Sequence, residues 1–238
     1  MPSKEGIFIM RLDKLISNST AFTRSQAKIV ISKGKVKVNG EVIRKAAQHI
    51  ADDAQVEYMG VSINAPKARY IMFNKAAGVV CANKDKDHQT IFDTLFISNI
   101  EKLHVAGRLD IDTTGLVLIT DDGQWLHQIT SPKHQHTKTY LVDLDEDITD
   151  KQISVLESGV QLKDEKNRCQ PAALEVISSK QIRLMIIEGK YHQVKRMLAA
   201  VGNHVVKLHR EKVGNIMLDN DLKEGHWREL TDKEIVLD

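Results

Sequence analysis

The segment Gly107–Leu116 carries the side chains of this chain of 238 residues that are best suited to chemistry. Asp110 and Asp112 are carboxylates two positions apart, and Arg108 precedes them. The apolar run Leu116–Ile119 that follows predicts a buried strand. We therefore expect the two carboxylates to lie in a turn that leads into rigid structure, a common position for catalytic groups.

Four segments of the chain together resemble one known family. They are Tyr70–Gly78, Gly107–Leu116, Lys138–Val142 and Glu188–Met197, in that order. They resemble the motifs of the pseudouridine synthases, and within them the RsuA-like branch that acts on ribosomal RNA. The resemblance implies an α+β fold, with a catalytic domain built on a bent, mixed and largely antiparallel sheet that carries the active-site cleft.

The reaction implied by this resemblance is an isomerisation of uridine in RNA. The glycosidic bond breaks, the uracil turns, and it rejoins the ribose through carbon five. No redox change occurs and no group enters or leaves, so we expect neither a cofactor nor a metal, and the sequence has no Walker A or Rossmann glycine pattern. One carboxylate is needed, either as a nucleophile at the anomeric carbon or as a base towards the ribose, and the sequence leaves both roles open.

The resemblance also assigns residues to roles in catalysis. Asp110 is the catalytic carboxylate, Tyr140 stacks on the extruded uracil, and Lys195 pairs with Asp110 to favour its charged form. Asp112 could share acid and base work with Asp110, as paired carboxylates do in glycosidases. We favour a turn role for Asp112, in which it bonds the amides near Thr114.

Three further cations are expected to contact RNA around the catalytic site: Arg108, Arg196 and Lys75. For both arginines a solvated surface position is the alternative, and Arg196 could instead pair with Asp110, a role for which we favour Lys195. The segment Asn74–Gly78 departs from the family pattern, because Ala76 stands where the family has proline. The loop should therefore be less rigid than in the relatives, but Lys75 is still expected to face the cleft.

The net charge of +2 conceals an uneven distribution along the chain. Residues 11–45 contain nine basic and two acidic residues, whereas residues 61–238 contain 24 basic and 26 acidic residues. A basic module attached to a nearly neutral one favours binding to nucleic acid through its phosphates.

The basic module has the pattern of two helices and a hairpin. The segment Leu12–Ile16 has apolar residues at helical spacing, and Thr23–Gln26 fits a capping box for a second helix. Its apolar stripe lies in Ala27–Ile31, and Gly34 should end it. The pair Asn39–Gly40 then predicts a two-residue hairpin turn.

This pattern resembles the small RNA-binding domain first seen in ribosomal protein S-four. The resemblance implies that the second helix and the loop after it present basic groups to RNA, although these groups could merely solubilise the domain. The matching residues are Arg24, Lys28, Lys33, Lys35 and Lys37. We expect an extension at residues 1–9, the RNA-binding domain at 10–60, a linker at 61–68 and the catalytic domain at 69–238, with Met1 and Met10 both possible starts.

Several protein classes are disfavoured by composition. No apolar run reaches the roughly 18 residues of a membrane span. Cys81 and Cys169 lie far apart, which favours free thiols in the cytoplasm. His134 and His136 are two positions apart but have no nearby carboxylate or cysteine to complete a metal site. We expect no metal, no membrane contact and, without an evident apolar seam, a monomer.

The expected substrate is 16S ribosomal RNA, either free or in an assembling small subunit. Thr130–Lys138 and Gly123–Trp125 look most like the 16S-modifying members of the family. Two alternatives stay open: a 23S enzyme of the same branch, and a non-catalytic RNA-binding or ribosome-assembly factor. The second alternative would not require Asp110, Tyr140 or Lys195, all of which are present.

Overall fold

The computed structural model describes residues 9–51, 53–64 and 67–237. The chain divides into two compact units, Met1–Lys67 and Ala68–Asp238. Residues 1–8 of the expected N-terminal extension lie outside the described residues. Within the described part, no helix has the length and apolar character needed to cross a membrane.

The first unit contains two helices and six short strands within its described residues. These are β1 Ile9–Arg11, α1 Leu12–Ser19, α2 Arg24–Ser32, β2 Val36–Val38, β3 Glu41–Ile43, β4 His49–Ala51, β5 Val56–Tyr58 and β6 Val61–Ile63. Strands β2, β3, β5 and β6 form an antiparallel sheet in the order β3-β2-β5-β6, and β1 pairs with β4.

The helices and hairpin expected in this unit are confirmed. Leu12 and Ile16 of α1 are completely buried, and so is Ile31 of α2. Thr23 and Gln26 form the reciprocal capping box that starts α2. The turn at Asn39–Gly40 has φ values of 50° and 84°, the left-handed conformation of a type I′ hairpin.

The expected linker at residues 61–68 is wrong in its first part. Val61–Ile63 is β6, which pairs with β5 in register from Tyr58↔Val61 to Val56↔Ile63. Met59 and Gly60 both have positive φ and make a second two-residue hairpin turn. The sequence pair Met-Gly is a weak turn signal, so the sequence did not predict the hairpin or strand β6.

The second unit combines five helices with nine strands within its described residues. These are β7 Tyr70–Lys75, α3 Ile91–Thr94, β8 His104–Ala106, β9 Thr114–Thr120, α4 Gly123–Thr130, β10 Lys138–Leu144, α5 Asp150–Ser158, β11 Ala173–Ser178, β12 Gln181–Ile186, α6 Gln193–Ala200, β13 Val205–Val213, β14 Ile216–Met217, β15 Trp227–Glu229 and α7 Asp232–Ile235. Two 3₁₀ turns lie at Ile100–Lys102 and Pro132–His134.

These nine strands form one sheet in the order β11-β12-β10-β13-β9-β7-β15, with β8 on β9 and β14 on β13. Among the described strands the pair β9–β13 is parallel, and the others are antiparallel. The expected α+β fold with a mixed, largely antiparallel sheet is confirmed. The central position of β9 places the loop before it, and so Asp110, at the middle of the sheet.

Both faces of the central strands are covered by apolar side chains. In β9, Val117 and Ile119 belong to one buried cluster, and Leu116 and Leu118 belong to another. Helices α5 and α6 contribute to the first cluster, and α4 to the second. This two-sided burial explains why the β9 sequence is a continuous apolar run rather than an alternating one.

Candidate active site

Asp110 lies in the loop at residues 107–113, which connects β8 to β9. The side chain of Lys75 holds this loop through hydrogen bonds to its backbone. Lys75 is completely buried. Its Nζ donates hydrogen bonds to the carbonyl oxygens of Ala76, Ile111 and Thr113 at 2.9, 3.1 and 2.7 Å. The expectation that Lys75 faces the cleft and contacts RNA is therefore wrong, because its charge is used to hold the loop that carries Asp110.

A second buried cation holds the ends of the same loop. Arg210 of β13 is only 3% exposed. Its guanidinium donates to the carbonyl oxygens of Gly107 and Leu116, both at 2.8 Å. Gly115 has a φ of 103°, and a Cβ there would overlap the backbone of Arg210, so the parallel pairing of β9 with β13 requires glycine at this position.

Two basic side chains from the start of α6 contact Asp110. Nε2 of His192 lies 3.3 Å from Oδ1, and Nζ of Lys195 lies 3.4 Å from Oδ2. The Asp110 side chain is 27% exposed, so it stays accessible while held by both groups. The contact with Lys195 was expected from the sequence, whereas that with His192 was not, although His192 lies in the same segment, Glu188–Met197.

Asp112 has a different contact from the expected one. Its Oδ1 accepts a hydrogen bond of 2.5 Å from Nζ of Lys195, and this bond holds the pKa of Asp112 below its usual value. The turn itself is closed by the Thr113 amide, which donates to the Asp110 carbonyl oxygen, and the Asp112 side chain contacts Lys195 rather than taking the expected turn role. Lys195 therefore bridges the two carboxylates, and the side chain of Asp112 remains 67% exposed.

A cleft of about 420 Å³ opens beside Asp110. Tyr140 of β10 lines it and is 9% exposed. The pairing of β10 with β13 shifts register between Thr139 and Tyr140, a bulge of the kind that redirects side chains next to active sites. The carboxylate of Asp110 and the ring of Tyr140 thus face a common cavity large enough for a nucleotide-sized ligand.

The cleft also contains charges that the sequence analysis did not assign. Lys138 precedes Tyr140 by two positions, so both lie on the same face of β10, and Lys138 lines the cleft half-buried. Burial and the nearby Arg210 lower the pKa of Lys138. Glu188 also lines the cleft and accepts hydrogen bonds from the backbone amide of Gln170 and from Nε2 of Gln193.

The two arginines expected near the site have different environments. Arg108 lines the cleft and is exposed, as an RNA contact would require. Arg196 instead donates to the carbonyl oxygens of Lys163 and Tyr191 and to Glu165 Oε1. The Arg196 guanidinium therefore ties residues 163–165 to α6, which leaves it less able to hold a phosphate than the sequence suggested.

In the first unit, the four lysines expected to face RNA are exposed: Lys28, Lys33, Lys35 and Lys37. Arg24 lies 3.4 Å from Asp13, a buried carboxylate that Arg11 also contacts at 2.7 Å. Arg24 therefore has a structural partner in addition to any RNA contact. Within residues 9–51, 53–64 and 67–237, no three His, Cys, Asp or Glu side chains are grouped so that they could hold a metal ion.

Comparisons with known proteins match both units. Residues 69–200 match the model of the RNA pseudouridylate synthase family, and residues 10–56 match the S4 domain. The chain is 51% identical over 227 residues to ribosomal small subunit pseudouridine synthase A of Escherichia coli K12, covering 95% of this chain and 98% of that protein. The protein of the same name from Haemophilus influenzae is 46% identical, with the same coverage. A crystal structure of a pseudouridylate synthase superimposes with a TM-score of 0.69 at 45% identity, covering 95% of this chain and 98% of that one.

Proposed function

The chain belongs to the RNA pseudouridylate synthase family, and from that premise we propose how it isomerises uridine. It is a ribosomal RNA pseudouridine synthase that acts on the 16S RNA of the small subunit. Asp110 is the carboxylate that starts the reaction, Tyr140 stacks on the flipped uracil, and Lys195 holds Asp110. The observation that carries this proposal is that Asp110 and Tyr140 line the same cleft.

The chemistry requires a carboxylate that is fixed in place yet open to the ribose. Lys75 and Arg210 hold the backbone on either side of Asp110, and His192 and Lys195 hold its two oxygens. Such preorganisation lowers the barrier, since the carboxylate need not be oriented during the reaction. Asp110 then attacks the anomeric carbon or removes a proton from the ribose.

The rest of the reaction needs the uracil to be held while it turns. The bond from the ribose to N1 breaks, a bond to C5 forms, C5 loses a proton and N1 gains one. An aromatic wall such as Tyr140 can support the base in both orientations, because stacking does not depend on which ring edge faces the ribose. The 9% exposure of Tyr140 is consistent with a ring that presents part of its surface to the cleft.

Pseudouridine mapping of 16S and 23S RNA, from cells with and without the gene, tests this function. We expect the loss of one signal in 16S RNA, and its return when the intact gene is restored. Loss of a 23S signal would assign the chain to the other subunit. No change in either RNA would instead favour a binding factor, because the RNA-binding unit would then be present without turnover.

The RNA-binding unit should supply much of the salt-dependent affinity. Replacing Lys28, Lys33, Lys35 and Lys37 with glutamine should reduce the slope of log Kd against log salt by about 3, since each phosphate contact contributes about 0.7 for single-stranded RNA. Binding measured between low and moderate salt checks this. The matched control replaces four exposed lysines of the other unit with glutamine: Lys151, Lys180, Lys223 and Lys233. An equal change of slope in both variants would mean that the first unit does not supply most of the salt-dependent affinity for RNA.

We further propose that the chain acts in the cytoplasm as a monomer, on ribosomal RNA alone or within an assembling small subunit. Support for ribosomal RNA as the partner comes from the S4 domain and from the names of the relatives. We place the RNA-binding domain from residue 10 and the catalytic domain from residue 69, the starts of the two family matches.

A further inference from the structure

Tyr191 is an aromatic side chain at the edge of the active site for which the reaction described above has no use. Its side chain is 75% exposed, and its ring stacks on that of His192 with centroids 3.8 Å apart and an interplanar angle of 22°. A single exposed apolar side chain is common on protein surfaces and by itself carries no meaning. What sets Tyr191 apart is its neighbour, because His192 lines the cleft and contacts Asp110.

The turn that carries Tyr191 is held rigidly. Oε1 of Gln193 accepts from the amide of Lys190 at 2.8 Å, and Nε2 of Gln193 donates to Glu188 at 2.7 Å. The carbonyl oxygen of Tyr191 accepts from Arg196 at 3.0 Å. A ring on a fixed backbone loses little conformational freedom when a ligand stacks on it, so the turn is suited to binding.

The surroundings of this ring suit RNA. Lys190 precedes Tyr191 and is paired with Glu165, and Lys195 is paired with Asp110 and Asp112. Arg108 lines the same cleft and is exposed, so it can contact a phosphate of a bound strand. A uridine can enter the cleft only after it leaves the stack of its own strand, which exposes the faces of the bases beside it. Proteins that bind unstacked RNA cover such faces with aromatic side chains.

We propose that the outer face of Tyr191 stacks on a nucleobase next to the flipped uridine and forms a second base subsite beside the catalytic cleft. This inference rests on the proposed function, because it assumes that a uridine occupies the cleft. In the complex, the neighbouring base, Tyr191 and His192 would form one continuous stack that ends at Asp110. The subsite would recognise the flat face of a base, which all four bases have, and so would add affinity rather than strict sequence choice.

The test uses short single-stranded RNAs with one uridine and the fluorescent base 2-aminopurine on either its 5′ or its 3′ side. Binding to the full-length chain should quench one of the two probes through stacking. Tyr191→Ala should abolish that quenching and raise the Kd about tenfold, whereas Tyr191→Phe and Tyr191→Trp should keep both near the wild-type values. The matched control is Phe96→Ala, which removes an exposed ring that does not line the cleft and should change neither measurement.

Two results would overturn the inference. Unchanged affinity and quenching in Tyr191→Ala, with a lower kcat, would mean that the ring only positions His192. Equal losses in Tyr191→Phe and Tyr191→Ala would mean that the hydroxyl group, not the ring face, is recognised. Fluorescence reports binding and does not require turnover, so the base subsite can be tested even if the chain does not convert uridine. Failure of the subsite and failure of the proposed function are therefore distinguishable.

Discussion

Asp110→Asn is expected to abolish pseudouridine formation, with a loss of about 10⁴-fold or more in the single-turnover rate. The amide can neither attack the anomeric carbon nor accept a proton from the ribose. Its shape is nearly that of the carboxylate, so the cleft and the RNA affinity should be retained. Single-turnover conversion of 16S RNA, together with a filter-binding measurement of Kd, checks both parts of the expectation.

The matched control for this variant is Asp112→Asn, which changes the neighbouring carboxylate in the same way. Asp112 is 67% exposed and contacts Lys195 rather than lining the cleft, so its loss should lower the rate by no more than about tenfold. Substantial turnover by Asp110→Asn would remove Asp110 from the reaction. Equal losses in the two variants would instead indicate a pair of carboxylates that act together.

Lys75→Met is expected to destabilise the catalytic unit and to slow the reaction without changing any group that touches RNA. The substitution leaves three carbonyl oxygens, two of them in the loop that carries Asp110, without their donor in a buried position. Each such loss costs on the order of 1–3 kcal/mol, so the free energy of unfolding should fall by about 3 kcal/mol or more. Denaturant unfolding measures the change in the free energy of unfolding. The kcat is then measured without denaturant, at a temperature at which the variant is folded.

The control for Lys75 is Lys84→Met, an exposed lysine of the same unit, for which neither stability nor kcat should change. If Lys75→Met kept the wild-type stability and kcat and bound RNA more weakly, the role as an RNA contact would be restored and the structural role would be wrong. A fall in kcat with unchanged Kd for RNA is the pattern expected of a residue that positions Asp110 through the backbone.

Local patterns in the sequence sufficed for several elements, and the resemblance to a known family sufficed for the fold class. The capping box at Thr23–Gln26, the hairpin at Asn39–Gly40 and strand β9 depend on neighbouring residues, and all three are confirmed. Strand β13 was missed because it carries five charged or histidine side chains within Val205–Val213, which obscure its alternation. Such a strand is recognised only once its partners β9 and β10 are known.

The sequence by itself determined the class of reaction, the candidate carboxylate and the basic character of the first unit, because motifs and charge are properties of residue type and order. The tertiary structure decided the use of individual charges. Most cations are exposed, and Lys75 was expected to face the cleft. Lys75 and Arg210 are instead both buried, and they donate to carbonyl oxygens of Ile111 and Gly107 that lie 36 and 103 positions away in the sequence. Lys195 likewise bridges to Asp112 across 83 positions. Contacts at such separations exist only after the sheet brings β7, β9 and β13 side by side, and no local pattern specifies them.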